Sequence, residues 1–289
     1  MLPARARIAV IAPSGAFDPA RLDAGLDVLR GWGYHPTLMH GVGQRWRYLA
    51  GTDDTRANDL NTALSGDWDA VWMVRGGYGL ARLLPRVDWE RTRGTPFLGF
   101  SDGTAFLNAY AERRGRAIHA PVLTSLGGHV DEESREHLRR LLAGEPVAPL
   151  EGRVLLAGRA EGHLRGGNLC VLASLCGTRW QLRAKGHLVL LEDIGEAPYK
   201  LDRLLTQLIE AGCFDGAAGF VLGSFLGADP PEGAEWQTLD VIRDLLRPFG
   251  VPVVCDLPIG HGPRNLAVPF GRARIEEGLL HLPGPEIAA

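Results

Sequence analysis

Lysine is almost absent from this chain: Lys185 and Lys200 are the only two among 31 basic residues. The excess of arginine reads as a bias of genome composition rather than of function. Charge of one sign is never concentrated. The longest basic cluster, Arg113, Arg114 and Arg116, is too small a footprint for a nucleic acid. With 34 acidic residues the formal net charge is −3, so a nucleic-acid partner is not expected. Cysteine is sparse too, and Cys170, Cys176, Cys213 and Cys255 form no C-x-x-C pair. That spacing argues against a zinc site and for buried apolar thiols in a reducing compartment. No metal and no other cofactor is expected. No apolar stretch approaches the roughly 18 residues of a membrane span. The apolar run 8–12 follows basic residues, but it is shorter than the roughly 7–15 apolar residues of a secretion signal. A cytoplasmic location without membrane contact is the expectation.

What is present is an ordinary globular composition, 45% hydrophobic and 22% charged over 289 residues. At roughly 100–200 residues per domain this allows two domains. Strand and helix patterns alternate through the first half: strands over 8–12, 34–39, 70–74, 95–100 and from 117, and helices over 19–32, 53–65, 79–84, 103–113 and 133–143. Such alternation predicts an α/β domain with a parallel sheet covered by helices. The segment 144–158, with its proline and glycines, reads as a linker. Beyond it come a Gly-Gly-Asn turn at 166–168, an apolar helix through Cys176, strands over 186–191, 218–223 and 251–255, a helix over 199–211 and a closing hairpin over 273–282. The expected domains are 1–146 and 147–289. Ligands of open parallel sheets bind beyond the carboxyl ends of the strands. That directs attention to Pro13-Ser14-Gly15, Arg75-Gly76-Gly77, Ser101-Asp102-Gly103, Glu192-Asp193, Ser224 and Ile259-Gly260-His261.

Gly99-Phe100-Ser101-Asp102-Gly103 matches G-x-S-x-G between an apolar strand and an apolar helix, the setting of a nucleophile elbow. A sharp strand-to-helix turn exposes the serine, flanking glycines admit close neighbours, and the helix N-terminus favours developing negative charge. The plainer reading is that Ser101 or Asp102 caps the helix. An oxyanion would need two N–H donors. The amide of Asp102 is one candidate, and the glycine turn offers Gly77 or Gly76 as the second. The same turn is a poor dinucleotide or phosphate loop, since it lacks G-x-G-x-x-G and a P-loop lysine.

A serine nucleophile needs a base, and the base a carboxylate. Of nine histidines, His119 and His261 follow apolar strands and His163 opens a polar turn. The rest stand in polar or helix-edge contexts. His261 lies between two glycines, as turn residues often do. The carboxylate lies among Glu192, Asp193 and Glu196, and the residues alone leave that choice open. Arg75 suits recognition of a terminal carboxylate through bidentate hydrogen bonding; a surface ion pair is the competing role.

Six motifs in order, IAPSG (11–15), MVRGGYGLARLL (73–84), LGFSDGTAFL (98–107), RAEGHLRGGNLCVLASLCGT (159–178), LLEDIGEAPYKLDRLLTQL (190–208) and LPIGHG (257–262), resemble the LD-carboxypeptidases, serine peptidase family S66. The likeness runs from about residue 8 to about residue 272. It implies a Ser–Glu–His triad on Ser101, Glu192 and His261, with Glu192 preferred over Asp193 on the family pattern alone. It implies an N-terminal domain resembling class I glutamine amidotransferases and a smaller, mostly β C-terminal domain carrying Glu and His, with the active site where the two meet. It further implies a cytoplasmic homodimer that needs no metal. Two substrate classes follow: the murein tetrapeptide, which loses its terminal D-alanine in cell-wall recycling, or microcin C and related aminoacyl nucleotides. His119-Ala120-Pro121 stands where many members have His-Gly-Pro. The stretch Phe225 to Asp229 lacks the Lys-His-Glu-like segment of the microcin branch, which favours a small murein peptide as partner.

Overall fold

The computed structural model describes residues 1–113 and 115–283. Arg114 of the basic cluster and residues 284–289 of the expected second domain lie outside the described residues. The chain divides into two compact units. The first takes Met1–Val147 and Asn265–Pro269, and the second Ala148–Arg264 and Phe270–Pro283.

The first unit opens with β1 (Arg7–Ile11), α1 (Pro19–Gly31), β2 (His35–Leu38), α2 (Asp53–Ser65), β3 (Ala70–Met73) and the short α3 (Leu80–Leu83). It continues with β4 (Phe97–Gly99), α4 (Gly103–Ala111), β5 (Ala117–His119), α5 (Leu123–Leu126) and α6 (Glu132–Ala143). Strands β1, β3 and β4 are almost wholly buried, which is why they read as unbroken apolar runs rather than alternating ones. The helices begin where the chemistry of their caps directs. Asp18 accepts from the Ala20 amide with Pro19 in the first turn of α1, and Asp131 accepts from the Ser134 amide at α6. Gly144, in the left-handed region at φ 73°, closes α6. Leu22, Leu26 and Leu29 of α1 and Leu138, Leu141 and Leu142 of α6 pack with Ile8, Val10 and Trp72 in one core.

The second unit contains β6 (Leu150–Glu151), β7 (Arg153–Leu156), β8 (Ala160–Asn168), α7 (Leu169–Ser174), β9 (His187–Ile194), α8 (Pro198–Glu210), β10 (Gly219–Leu226), α9 (Thr238–Leu246) and β11 (Val253–Cys255). The chain then returns to the first unit as β12 (Val268–Pro269) and ends the second with β13 (Arg272–Glu276) and β14 (Leu279–His281). The first sheet has the order β12-β5-β4-β3-β1-β2, and the second β6-β14-β13-β8-β9-β10-β11-β7. The first is parallel except for β12, which pairs antiparallel with β5 through Val268 and His119. The second is parallel over β8 to β11 and antiparallel at both flanks. Helices α7, α8 and α9 cover it through Leu172, Leu205, Leu208, Ile242 and Leu246.

Four sequence expectations change. A single cut after residue 146 misses the return of Asn265–Pro269, which adds an edge strand to the first sheet. The expected linker 144–158 holds β6 and β7, whose partners β14 and β11 lie far along the chain. Gly166 and Gly167 form no turn. They end strand β8, and a Cβ on Gly166 would stand 2.1 Å from the Leu190 carbonyl oxygen. Of the cysteines, Cys213 and Cys255 are buried, but Cys170 is exposed and Cys176 half-buried. Among the described residues no helix is long and apolar enough to cross a membrane, and no group of three His, Cys, Asp or Glu is placed to hold a metal ion.

Candidate active site

In the first unit, β4 ends at Gly99 and α4 begins at Gly103, leaving three residues for the turn. Ser101 takes φ 59°, a left-handed conformation that a non-glycine residue adopts only when its surroundings impose it. Both glycines of G-x-S-x-G answer to Met73 of β3. A Cβ would stand 2.4 Å from its sulfur at Gly99 and 3.0 Å at Gly103. Met73 is fully buried. The motif therefore lets the elbow press onto the neighbouring strand.

The glycine turn after β3 lies directly against the elbow. A Cβ on Gly76 would stand 2.9 Å from Ser101 Oγ and 3.5 Å from the Asp102 nitrogen. The Gly15 amide donates to the Gly76 carbonyl at 3.0 Å. A trans peptide points its N–H opposite its C=O, so this bond also fixes the direction of the Gly77 N–H. Gly77 itself holds φ 98°, open to glycine.

The Asp102 side chain does something the sequence did not suggest. It is 2% exposed. Its Oδ2 accepts from Ser14 Oγ at 2.6 Å and from the Leu80 amide at 2.9 Å. One carboxylate thus ties together the turn after β1, the start of α3 and the elbow. Burial pushes its pKa up, opposed by the Ser14 and Leu80 donors, the Gly79 amide and the charge of Arg56. Arg56 is a buried cation on α2 that donates to the Pro13 carbonyl and, at 2.6 Å, to Asp53. The apolar period of α2, which turns Ala57, Leu60 and Leu64 inward, gives no sign of this arginine.

Arg75 donates to the Ala16 carbonyl and lines a cavity of about 360 Å³ with Asp18, Arg21, Arg45 and Thr124. Among the described residues it has no carboxylate partner, so the surface ion pair is not formed.

In the second unit the three carboxylates separate cleanly. Glu192, fully buried near the end of β9, has its Oε2 2.7 Å from His261 Nδ1. Asp193 points to the other face of the strand. It accepts from Asn168 Nδ2, the Cys170 amide and its own neighbour's Ile194 amide, at 3.0, 2.9 and 2.8 Å. It therefore braces the end of β8 against the start of α7. Glu196 pairs with Lys200 at 3.4 Å. His163 pairs in register with His187 at the opposite end of β9 from Glu192. Burial pulls the His261 pKa down, but the hydrogen bond and charge of Glu192, with the charge of Asp193, outweigh it and leave the ring above its ordinary 6.5. Gly260 makes the approach possible. At φ 122° it has no Cβ, and one built there would stand 2.8 Å from Glu192 Oε2 and 2.7 Å from Ser224 Oγ.

The described chemistry is thus a strained serine under a glycine turn in one unit, and a buried carboxylate–imidazole pair in the other. Comparisons with known proteins identify the family. The LD-carboxypeptidase N-terminal domain matches residues 8–120, and the LD-carboxypeptidase C-terminal domain matches residues 161–275. The murein tetrapeptide carboxypeptidase of Pseudomonas aeruginosa is 39% identical over 295 residues, covering 96% of this chain and 94% of its own. A solved muramoyltetrapeptide carboxypeptidase from Oxalobacter formigenes superposes with a TM-score of 0.86 at 29% identity, covering 96% of this chain and 97% of that one. The microcin C7 self-immunity protein MccF also superposes with a TM-score of 0.86, over 98% of this chain and 97% of that one. At 20% identity this second likeness speaks for the fold alone.

Proposed function

Because the chain belongs to the LD-carboxypeptidase family, a family of serine-type carboxypeptidases, we propose that it releases the terminal D-alanine of the murein tetrapeptide. The observation that carries this reading is the Glu192–His261 hydrogen bond, which equips an imidazole as a base.

In the proposed reaction Ser101 Oγ attacks the carbonyl carbon of the amide between an L-centre and the terminal D-alanine. His261 Nε2 takes the hydroxyl proton, while Glu192 Oε2 accepts the Nδ1–H, fixes the tautomer and stabilises the imidazolium. Negative charge then develops on the former carbonyl oxygen, and the amides of Asp102 and Gly77 accept that charge as hydrogen-bond donors. Gly77 is preferred over Gly76 because the anchored Gly76 carbonyl fixes its direction. The imidazolium returns its proton to the amine as the C–N bond breaks and D-alanine leaves. Water, deprotonated by His261, hydrolyses the Ser101 ester and restores the hydroxyl. Arg75 receives a substrate carboxylate. The reading includes a cytoplasmic homodimer, as the family pattern implies.

The test is hydrolysis of a murein tetrapeptide ending in D-alanine, followed by mass spectrometry, with Ser101→Ala alongside. Loss of one D-alanine by the wild type alone supports the reading. A wild type inert on the tetrapeptide but active on an aminoacyl nucleotide would transfer the chemistry to the microcin-type substrate. Equal cleavage by both proteins would remove Ser101 from the mechanism.

A further inference from the structure

Glu192 satisfies only half of its carboxylate within the pair described above. Oε2 meets His261, while Oε1 is buried without a hydrogen-bond partner. An ionised carboxylate offers about four acceptor sites, and a buried oxygen left with none is costly. Close by is the complementary deficit. Ser224 Oγ is also buried without a partner.

Two further observations bring these groups together. A Cβ on Gly260 would be 2.7 Å from Ser224 Oγ and 2.8 Å from Glu192 Oε2. Ser224 Oγ and the His261-bound oxygen of Glu192 therefore flank one point, near each other but not hydrogen-bonded in this structure. The pairing of β10 with β9 also shifts register between Leu222 and Phe225, the stretch that holds Ser224. A bulge of this kind re-aims a side chain that regular alternation would direct elsewhere. The Ser224 amide donates to the Ile259 carbonyl at 2.9 Å, which anchors this part of the strand against the segment leading to Gly260 and His261.

We propose that Ser224 is a positioning residue whose hydroxyl, unpaired in this structure, turns to donate to the Glu192 carboxylate and holds it in the orientation that presents Oε2 to His261 Nδ1. The inference rests on the triad reading above, since it gives Ser224 a role only through Glu192 and His261. It does not depend on which peptide is cleaved. Ser224 also lines a cavity of about 570 Å³ with Phe225, Asp229 and Thr238, so the competing role is donation to a ligand there.

The experiment measures acylation of Ser101 by a fluorophosphonate, a reaction that reports the serine's activation whatever the natural substrate. Ser224→Ala is expected to slow acylation roughly tenfold, as loss of one hydrogen bond to a charged group does. Ser224→Cys, similar in shape but a weaker donor, falls between. In the Glu192→Gln background the same Ser224→Ala change is expected to cost less than about twofold, because coupled residues are not additive. The inference is overturned by an equal loss in both backgrounds, by no loss in either, or by a change confined to the KM for peptide with acylation intact. A wild-type enzyme that hydrolyses aminoacyl nucleotides instead of murein peptide leaves the acylation result standing. A wild type that is not acylated removes the triad and this inference with it. Should Ser224→Ala melt well below the wild type, the Ser224→Cys comparison decides alone.

Discussion

Gly76 and Ser101 are packed so closely that the glycine's missing Cβ is the space in which the serine hydroxyl stands. An added Cβ would be 2.8 Å from Ser101 Cβ and 2.9 Å from its Oγ. Neither side can yield easily, because the Gly76 carbonyl is held by the Gly15 amide and Ser101 by the elbow. Gly76→Ala is therefore expected to displace either the nucleophile or the neighbouring amides. A shifted oxyanion donor costs about 10²–10³ in kcat. Peptide hydrolysis should fall by that order while the circular dichroism of the folded protein is retained. Activity within twofold of wild type would show that the turn does not meet the reacting serine.

Ser14→Ala tests the brace beneath that turn. Ser14 is fully buried and donates to Asp102 Oδ2 at 2.6 Å, the same oxygen that accepts from the Leu80 amide. Removing the hydroxyl leaves a buried carboxylate short of a donor, at a cost of about 1–3 kcal/mol. Chemical denaturation should show the midpoint falling with an unchanged slope. An unaltered midpoint would mean that the Asp102 carboxylate finds water or another donor there.

How much of this was readable beforehand depended on how local each feature is. The elbow was readable because strand, turn and helix are contiguous, so Gly99, Ser101 and Gly103 carry their own context. The separation of Glu192 from Asp193 was not. The two are neighbours on opposite faces of β9, and what distinguishes them is that His261 approaches one while Asn168 and Cys170 approach the other. Those partners are remote in sequence and are brought in by sheet pairing. The same holds for β6 and β7, which are too short and too rich in glycine nearby to declare themselves without β14 and β11. The bulge at Ser224 likewise depends on β10 having found its neighbours, whereas helix α9 carries a local signal, the Gln237–Asp240 capping box, that the reading of the residues passed over.

The raised His261 pKa has a consequence for the pH profile. As a base the ring must be neutral, so kcat/KM falls as pH drops through the value of the folded protein. That value lies above 6.5 because Glu192, with Asp193, outweighs burial. The acid limb of the profile should accordingly lie above 6.5. Glu192→Gln removes the nearer charge and leaves the burial, which by itself lowers the pKa, so the limb should move toward lower pH in that variant. A limb that stays in place would show that another group governs it.

The adjacent carboxylates give the sharpest contrast. Glu192→Gln keeps shape but loses the charge that holds and stabilises the imidazolium, and a loss of about 10⁴-fold in kcat is the scale for such a change. Asp193→Asn acts elsewhere. Its oxygens receive N–H groups from Asn168, Cys170 and Ile194, so an amide nitrogen there would face donors instead of offering acceptors. About 1–3 kcal/mol of stability should be lost, with kcat reduced far less than in Glu192→Gln. Measuring denaturation midpoints and kcat for both variants separates the two roles, since each change should move mainly one quantity. If Asp193→Asn proved the more damaging to kcat with its midpoint unchanged, the assignment of the orienting carboxylate would pass to Asp193. The hydrogen bond from His261 to Glu192 would then be a feature of the resting protein rather than of the reaction.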